Sequence, residues 1–193
     1  MSLFAYARDN LAGAWQVLLG RPEGLSRLDT SIDGFWRSFA AVILLAPFAL
    51  LSLLGPHPAP EGGEAVVEPI TAGLLAIYGV ALLADWFAFP LVFALIAPSF
   101  GLGSRYVPYI VARNWASVII GAMVALIHVP RVLSIMPVEI TPYLLLAGLA
   151  VALRFSYVLV RTALAVSLAM ALPIVILDFL VSLVVWSIFD RFT

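Results

Sequence analysis

Residues 70–97 read ITAGLLAIYGVALLADWFAFPLVFALIA, and Asp85 is their only charge. The hydrocarbon core of a bilayer is ~30 Å thick, and an α-helix crosses it with about 20 apolar residues. This stretch is longer than that, so it reads as a tilted membrane span. Pro90 within it removes the backbone bond to Trp86 and predicts a kink. The same apolar quality recurs over residues 35–54 on one side and over 114–129, 143–160 and 163–188 on the other. Five spans leave little chain for anything else, and residues 1–193 read as a single membrane domain.

Composition carries the same message. Hydrophobic residues make up 64% of the chain and charged ones 11%, with a mean hydropathy of +1.12. A soluble domain holds about 45–50% apolar and ~25% charged residues. The net charge is -1 and no basic run occurs, so no nucleic-acid partner is expected. The absence of cysteine excludes disulfides, thiolate metal sites and cysteine nucleophiles. All the basic residues are arginine, which with the abundant Ala, Gly and Pro suits a GC-rich bacterial genome; the address expected for a multi-pass bacterial chain of this kind is the inner membrane.

Residues 2–19 place Phe4, Leu11, Trp15 and Leu18 at helical spacing, with Arg8, Asp9 and Gln16 elsewhere on the wheel. They read as an amphipathic helix lying at the membrane interface. Arg8, Asp9 and Asn10 interrupt the apolar run that a cleaved signal peptide needs. The expected class is thus all-α, a five-helix transmembrane bundle with an N-terminal interfacial helix. Arg8, Arg21, Arg27, Arg37, Arg105, Arg113 and Arg161 fall on one side of this scheme, with Arg131 and Arg191 on the other. The positive-inside rule then places the N-terminus in the cytoplasm and the C-terminus in the periplasm. The loop around Pro56, His57, Pro58, Pro60, Glu61, Glu64 and Glu68 carries no arginine and reads as flexible and non-cytoplasmic.

Chemistry is sparse. His57 and His128 have no carboxylate or histidine at metal-ligand spacing, and Gly101 with Gly103 lacks the Gly-Lys-Ser/Thr of a phosphate loop. No cofactor, metal or catalytic residue is expected. Three ionisable residues lie inside spans: Asp85 in the second, Arg154 in the fourth and Asp178 in the fifth. Each costs ~2.5–3.5 kcal/mol or more at the bilayer centre and needs protein or water around it. Counted at 1.5 Å per residue, Asp85 and Asp178 lie ~22 and ~24 Å deep and Arg154 ~12 Å, so the aspartates form a conceivable pair. In one reading they handle a proton or cation, with Arg154 as a modulating counter-charge. In the other, Arg154 reaches the interface or a backbone carbonyl, and the aspartates accept hydrogen bonds from Trp86, Ser182 or Tyr157. Pro47, Pro90 and Pro173 interrupt three spans, and no inverted repeat is visible.

Ser117, Gly121 and Ala125 recur every four residues in the third span, a spacing that lets helix backbones approach closely, so they form a candidate packing face. Trp86, Phe87, Phe89 and Phe93 form a second candidate partner surface, or face lipid.

The layout resembles the bacterial branch of the Yip family of five-helix membrane proteins. The likeness rests on the N-terminal amphipathic segment with its Gly20-Arg21-Pro22-Glu23-Gly24 turn, five closely spaced spans, the basic connector after the second, and Arg161-Thr162-Ala163-Leu164 leading into a fifth span with Asp178. Asp33-Gly34-Phe35-Trp36 stands where the eukaryotic members carry an Asp-Leu-Tyr-Gly-Pro signature, so Rab binding is not carried over. The resemblance implies a fold and a membrane address, not an activity. The functional expectation is a non-enzymatic accessory or scaffolding subunit, or a determinant of membrane organisation, whose partners are lipid and other membrane subunits or itself. The alternative is a small proton- or solute-transporting protein that works through Asp85, Asp178 and Arg154.

Overall fold

A computed structural model describes residues 2–54 and 69–192, and every regular element among them is helical. The loop containing His57 and Glu61, Glu64 and Glu68 lies outside the described residues. Helix α1 runs Leu3–Leu18. Five longer helices follow, each apolar enough to cross a membrane: α2 (Ile32–Leu53), α3 (Ala72–Phe100), α4 (Gly103–Val132), α5 (Thr141–Leu164) and α6 (Leu168–Phe192). The chain is a multi-pass membrane protein.

Two boundaries differ from the sequence reading. Helix α4 begins at Gly103, not near 114, because Pro108 in its second turn removes one backbone bond without ending the helix, and no breaker follows it up to Arg113. The turn before it lies at Gly101, which takes the left-handed conformation. The last hairpin does not turn at Arg161 and Thr162, which continue α5. It turns at Ala165, also left-handed, and α6 starts after the extended Ser167.

Alternating directions gather α1, the Gly101 turn and the Ala165 turn at one end of the bundle, the α1 end. Helix α4 is the central helix. Half of its most apolar window is buried, against 17% for α2, α5 and α6, and it packs on α1, α2, α3 and α5. The core concentrates toward the α1 end, around Tyr109, Ile110, Val111 and Ala112 of α4, Phe89 and Phe93 of α3, and Val160 and Leu164 of α5. Helix α6 has no buried residue beyond Val175. Lipid is as apolar as leucine, so close approach and polar ties, more than hydrophobic burial, hold such helices together. One tie is the fully buried pair Asn114 and Ser38, whose Nδ2 to Oγ bond of 2.9 Å joins α4 to α2.

Helix α1 packs on α4, α5 and the 3-10 turn that follows it, and buries Asn10, Gly13, Ala14 and Val17; Gly13 faces that turn. The stripe containing Phe4 and Trp15 faces outward instead, while Leu18 turns into the core. Its C-terminus is a Schellman turn: Gly20, at φ +77°, donates to the Val17 carbonyl and Arg21 to that of Gln16. The following 3-10 turn, Pro22–Arg27, folds back so tightly that a Cβ on Gly24 would collide with the Gly13 carbonyl. Asn10 then locks the junction, donating to the Tyr6 carbonyl and accepting from the Asp29 amide. Asp29 accepts from the Ser31 hydroxyl at 2.6 Å, and Ser31 caps α2 through the Gly34 amide. The Ser31 bond is the main reason the Asp29 carboxyl lies below its ordinary range. Burial, helped by Asp29, pushes the Tyr6 hydroxyl up to about 12.

Candidate functional site: a polar cleft among α3, α4, α5 and α6

Just beyond the core, α3 and α6 stand apart from α4 and α5 and leave an open cleft of about 210 Å³. Its walls are apolar, from Leu149, Leu153, Val175 and Phe179. Its polar lining is Asp85, Arg113, Ser117, Ser156, Asp178 and Ser182.

Arg113 lies in the third turn of α4 and is only 8% exposed. Its Nη2 donates to Asp178 Oδ1 at 2.7 Å and its Nε to Oδ2 at 3.3 Å, a forked contact that joins α4 to α6. The guanidinium carbon sits 4.9 Å from the centre of the Phe89 ring of α3, so the cation is covered by an aromatic face. Nη1 is buried and has no hydrogen-bond partner among the described residues. Asp85 projects from α3 into the same charge field and accepts a 2.6 Å hydrogen bond from the Ser182 hydroxyl of α6. Two carboxylates therefore stand in the field of one guanidinium. Asp178 holds the forked contact, and Asp85 accepts from a neutral hydroxyl and forms no ion pair among the described residues.

The structure brings Asp85 and Asp178 to one cleft but not Arg154. The cleft-facing residues of α5 include Ala152 and Ser156, one turn apart, and Arg154 between them is ~200° around the helix from either. Its guanidinium is exposed, 5.8 Å from the centre of the largely buried Phe155 ring. Arg113 occupies the place the sequence reading gave to Arg154. The signal for it was available: Arg113-Asn114 is a polar pair with no helix breaker after Pro108. Hydropathy alone leaves Arg113 outside the span, because the apolar window begins after it although the helix does not.

The small-residue stripe of α4 is divided between neighbours. Ser117 lines the cleft and donates to the Arg113 carbonyl. Gly121 lies against α2, where an added Cβ would overlap Leu45, and Ala125 is buried. The aromatic group of α3 is not a partner surface. Trp86, Phe89 and Phe93 are core residues, and only Phe87 is exposed, stacked 4.9 Å from Phe39. At the far end of α4, Arg131 is a buried helical residue, not a loop residue. It donates to the Ser52 carbonyl at 2.7 Å and lies 3.3 Å from His128 Nδ1. Among the described residues no group of His, Asp and Glu is placed to hold a metal ion.

The arrangement suits reversible chemistry at Asp85. A carboxylate in low dielectric without its own counter-charge is relieved by taking up a proton or a small cation, and Ser182 can accompany either form. Comparison with known protein families, curated proteins and solved structures returns no match.

Proposed function

We propose that this chain is a non-enzymatic membrane protein that takes up and releases a proton or small cation at Asp85, as part of moving it or a coupled solute through the bundle. The single observation that carries this reading is the unequal sharing of one guanidinium by two carboxylates in a cleft lined by serines. Intramembrane charges with this kind of imbalance are expensive unless they change state. The test is proton flux into proteoliposomes, followed by an internal pH dye. Asp85→Asn keeps the Ser182 contact and abolishes flux without changing the melting temperature. Undiminished flux in that variant would refute the reading.

A second reading has one specific support, the opening of the cleft between helices of the bundle surface. A partner helix carrying a donor would complete the site, and the chain would then be an accessory or scaffolding subunit of the Yip-like kind. Purification from native membrane in mild detergent separates the two, since a stoichiometric partner whose retention is lost in Asp85→Asn supports the second. For orientation we infer a cytoplasmic α1 end in a bacterial inner membrane. Exposed Arg8, Arg21, Arg27, Arg37, Arg105 and Arg161 lie there, against Arg191 at the other end.

A further inference from the structure

A groove between the end of α1 and the last turns of α5 has a different character from the cleft. Its volume is about 320 Å³ and its lining is Gly20, Tyr157, Val158, Arg161 and Thr162. Arg161 is exposed, its Nη1 donates to the Tyr157 hydroxyl at 3.3 Å, and its guanidinium stands 5.9 Å from that ring. Arg154 precedes Arg161 by seven residues, so the two share one face of α5, ~10 Å apart along the axis. Neither has a carboxylate partner among the described residues. Trp15 of α1 packs 6.4 Å from Phe155, the ring beside which Arg154 lies, and Trp15 and Leu19 keep large exposed apolar surfaces.

Two arginines without a carboxylate partner among the described residues stand beside aromatic rings, next to the exposed Trp15 and Leu19 at the end of α1. Apolar surface beside cationic surface matches a molecule that is itself apolar below and anionic above. From this geometry we infer that the groove is a docking site for an anionic phospholipid of the leaflet at the α1 end. Arg161, Tyr157 and Thr162 hold the phosphate, and Arg154, deeper along α5, extends its stem upward to add a second cation. The acyl chains lie along Trp15 and Leu19. This also accounts for an arginine in the middle of α5. It serves the headgroup level that α1 marks on that side, and has no part in the Asp85 cleft.

The test is native mass spectrometry of the full chain in detergent, titrated with phosphatidylglycerol or phosphatidylcholine. Phosphatidylglycerol is expected to bind the wild type in preference to phosphatidylcholine. Arg161→Gln weakens it about fivefold and the Arg154→Gln/Arg161→Gln pair about 25-fold, the equivalent of about 1 kcal/mol for each basic residue at an anionic surface. Arg161→Lys retains most of the binding, and Arg105→Gln, at the same end but outside the groove, retains all of it. Equal binding of the two lipids, an equal loss in Arg105→Gln, or full displacement by inorganic phosphate would each overturn the assignment. Melting temperatures without added lipid separate lost binding from lost folding.

Discussion

Arg113 of α4 holds Asp178 of α6 through two hydrogen bonds of 2.7 and 3.3 Å, across 65 residues of sequence. Beyond Val175 α6 has no buried residue; this contact and the Asp85–Ser182 bond are polar ties of its second half, beside the packing of Leu177 and Val181 on the core and of Trp186 on Tyr78. The difference in magnitude matters. An interhelical hydrogen bond in a membrane averages about 0.6 kcal/mol, whereas removing one member of a buried ion pair costs about 3–5 kcal/mol by stranding the other charge.

Arg113→Ala is therefore expected to destabilise the protein by about 3–5 kcal/mol, measured by unfolding in mixed detergent micelles. The Arg113→Leu/Asp178→Leu pair recovers most of that loss, because neither charge is left behind. A double variant as unstable as Arg113→Ala would show that the pair contributes more than mutual compensation.

Arg154→Gln, in the same unfolding assay without added anionic lipid, changes stability by less than about 0.5 kcal/mol, as expected for an exposed side chain with no polar partner among the described residues. A loss as large as that of Arg113→Ala would place Arg154 in the bundle's ion network and contradict the arrangement described above.

Gly24→Ala introduces a Cβ against the Gly13 carbonyl, where backbone must shift. The expected cost is about 1–3 kcal/mol, concentrated on α1. Hydrogen exchange should show faster exchange for residues 3–18 and unchanged protection in α4. Uniform loss of protection in both would mean that α1 cannot separate from the bundle without general unfolding.

Asp29 supplies a pH dependence whose sign can be worked out. Its folded pKa is lowered from 3.8, first by the Ser31 hydroxyl. A carboxyl depressed in the folded state contributes stability that is fully present above the unfolded value and is lost as pH falls through the folded one. The melting difference between wild type and Asp29→Asn is expected to hold constant from about pH 7 to pH 5 and to shrink below about pH 4. A gap that widens on acidification would invert the assignment.

Much of this architecture is legible in the sequence, and what is not has a common physical cause. The 70–97 run announced a span because its length and lack of charge leave no other environment for it. Ser182 was named as a neighbour for an aspartate, and the structure pairs it with Asp85. Arg113, Arg131 and the aromatic group of α3 were misplaced because hydropathy averages over a helix and carries no direction. An arginine at the edge of an apolar window looks like a loop residue even when the helix continues past it, as α4 does from Gly103. Phe89 and Phe93 look identical in composition whether they face lipid or protein.

The sequence by itself determined that the chain crosses a membrane, how many times, and that Asp85 and Asp178 must find polar company. These follow from transfer energetics, which depend on residue type and run length alone. Tertiary structure decided which charge meets which. The rotation of α5 turns Arg154 outward while Ala152 and Ser156 face the cleft, and the early start of α4 carries Arg113 to Asp178. Helix rotation and register are set by close packing against neighbours far away in the chain, such as Gly121 on Leu45 and Asn114 on Ser38, and no local pattern encodes those partners.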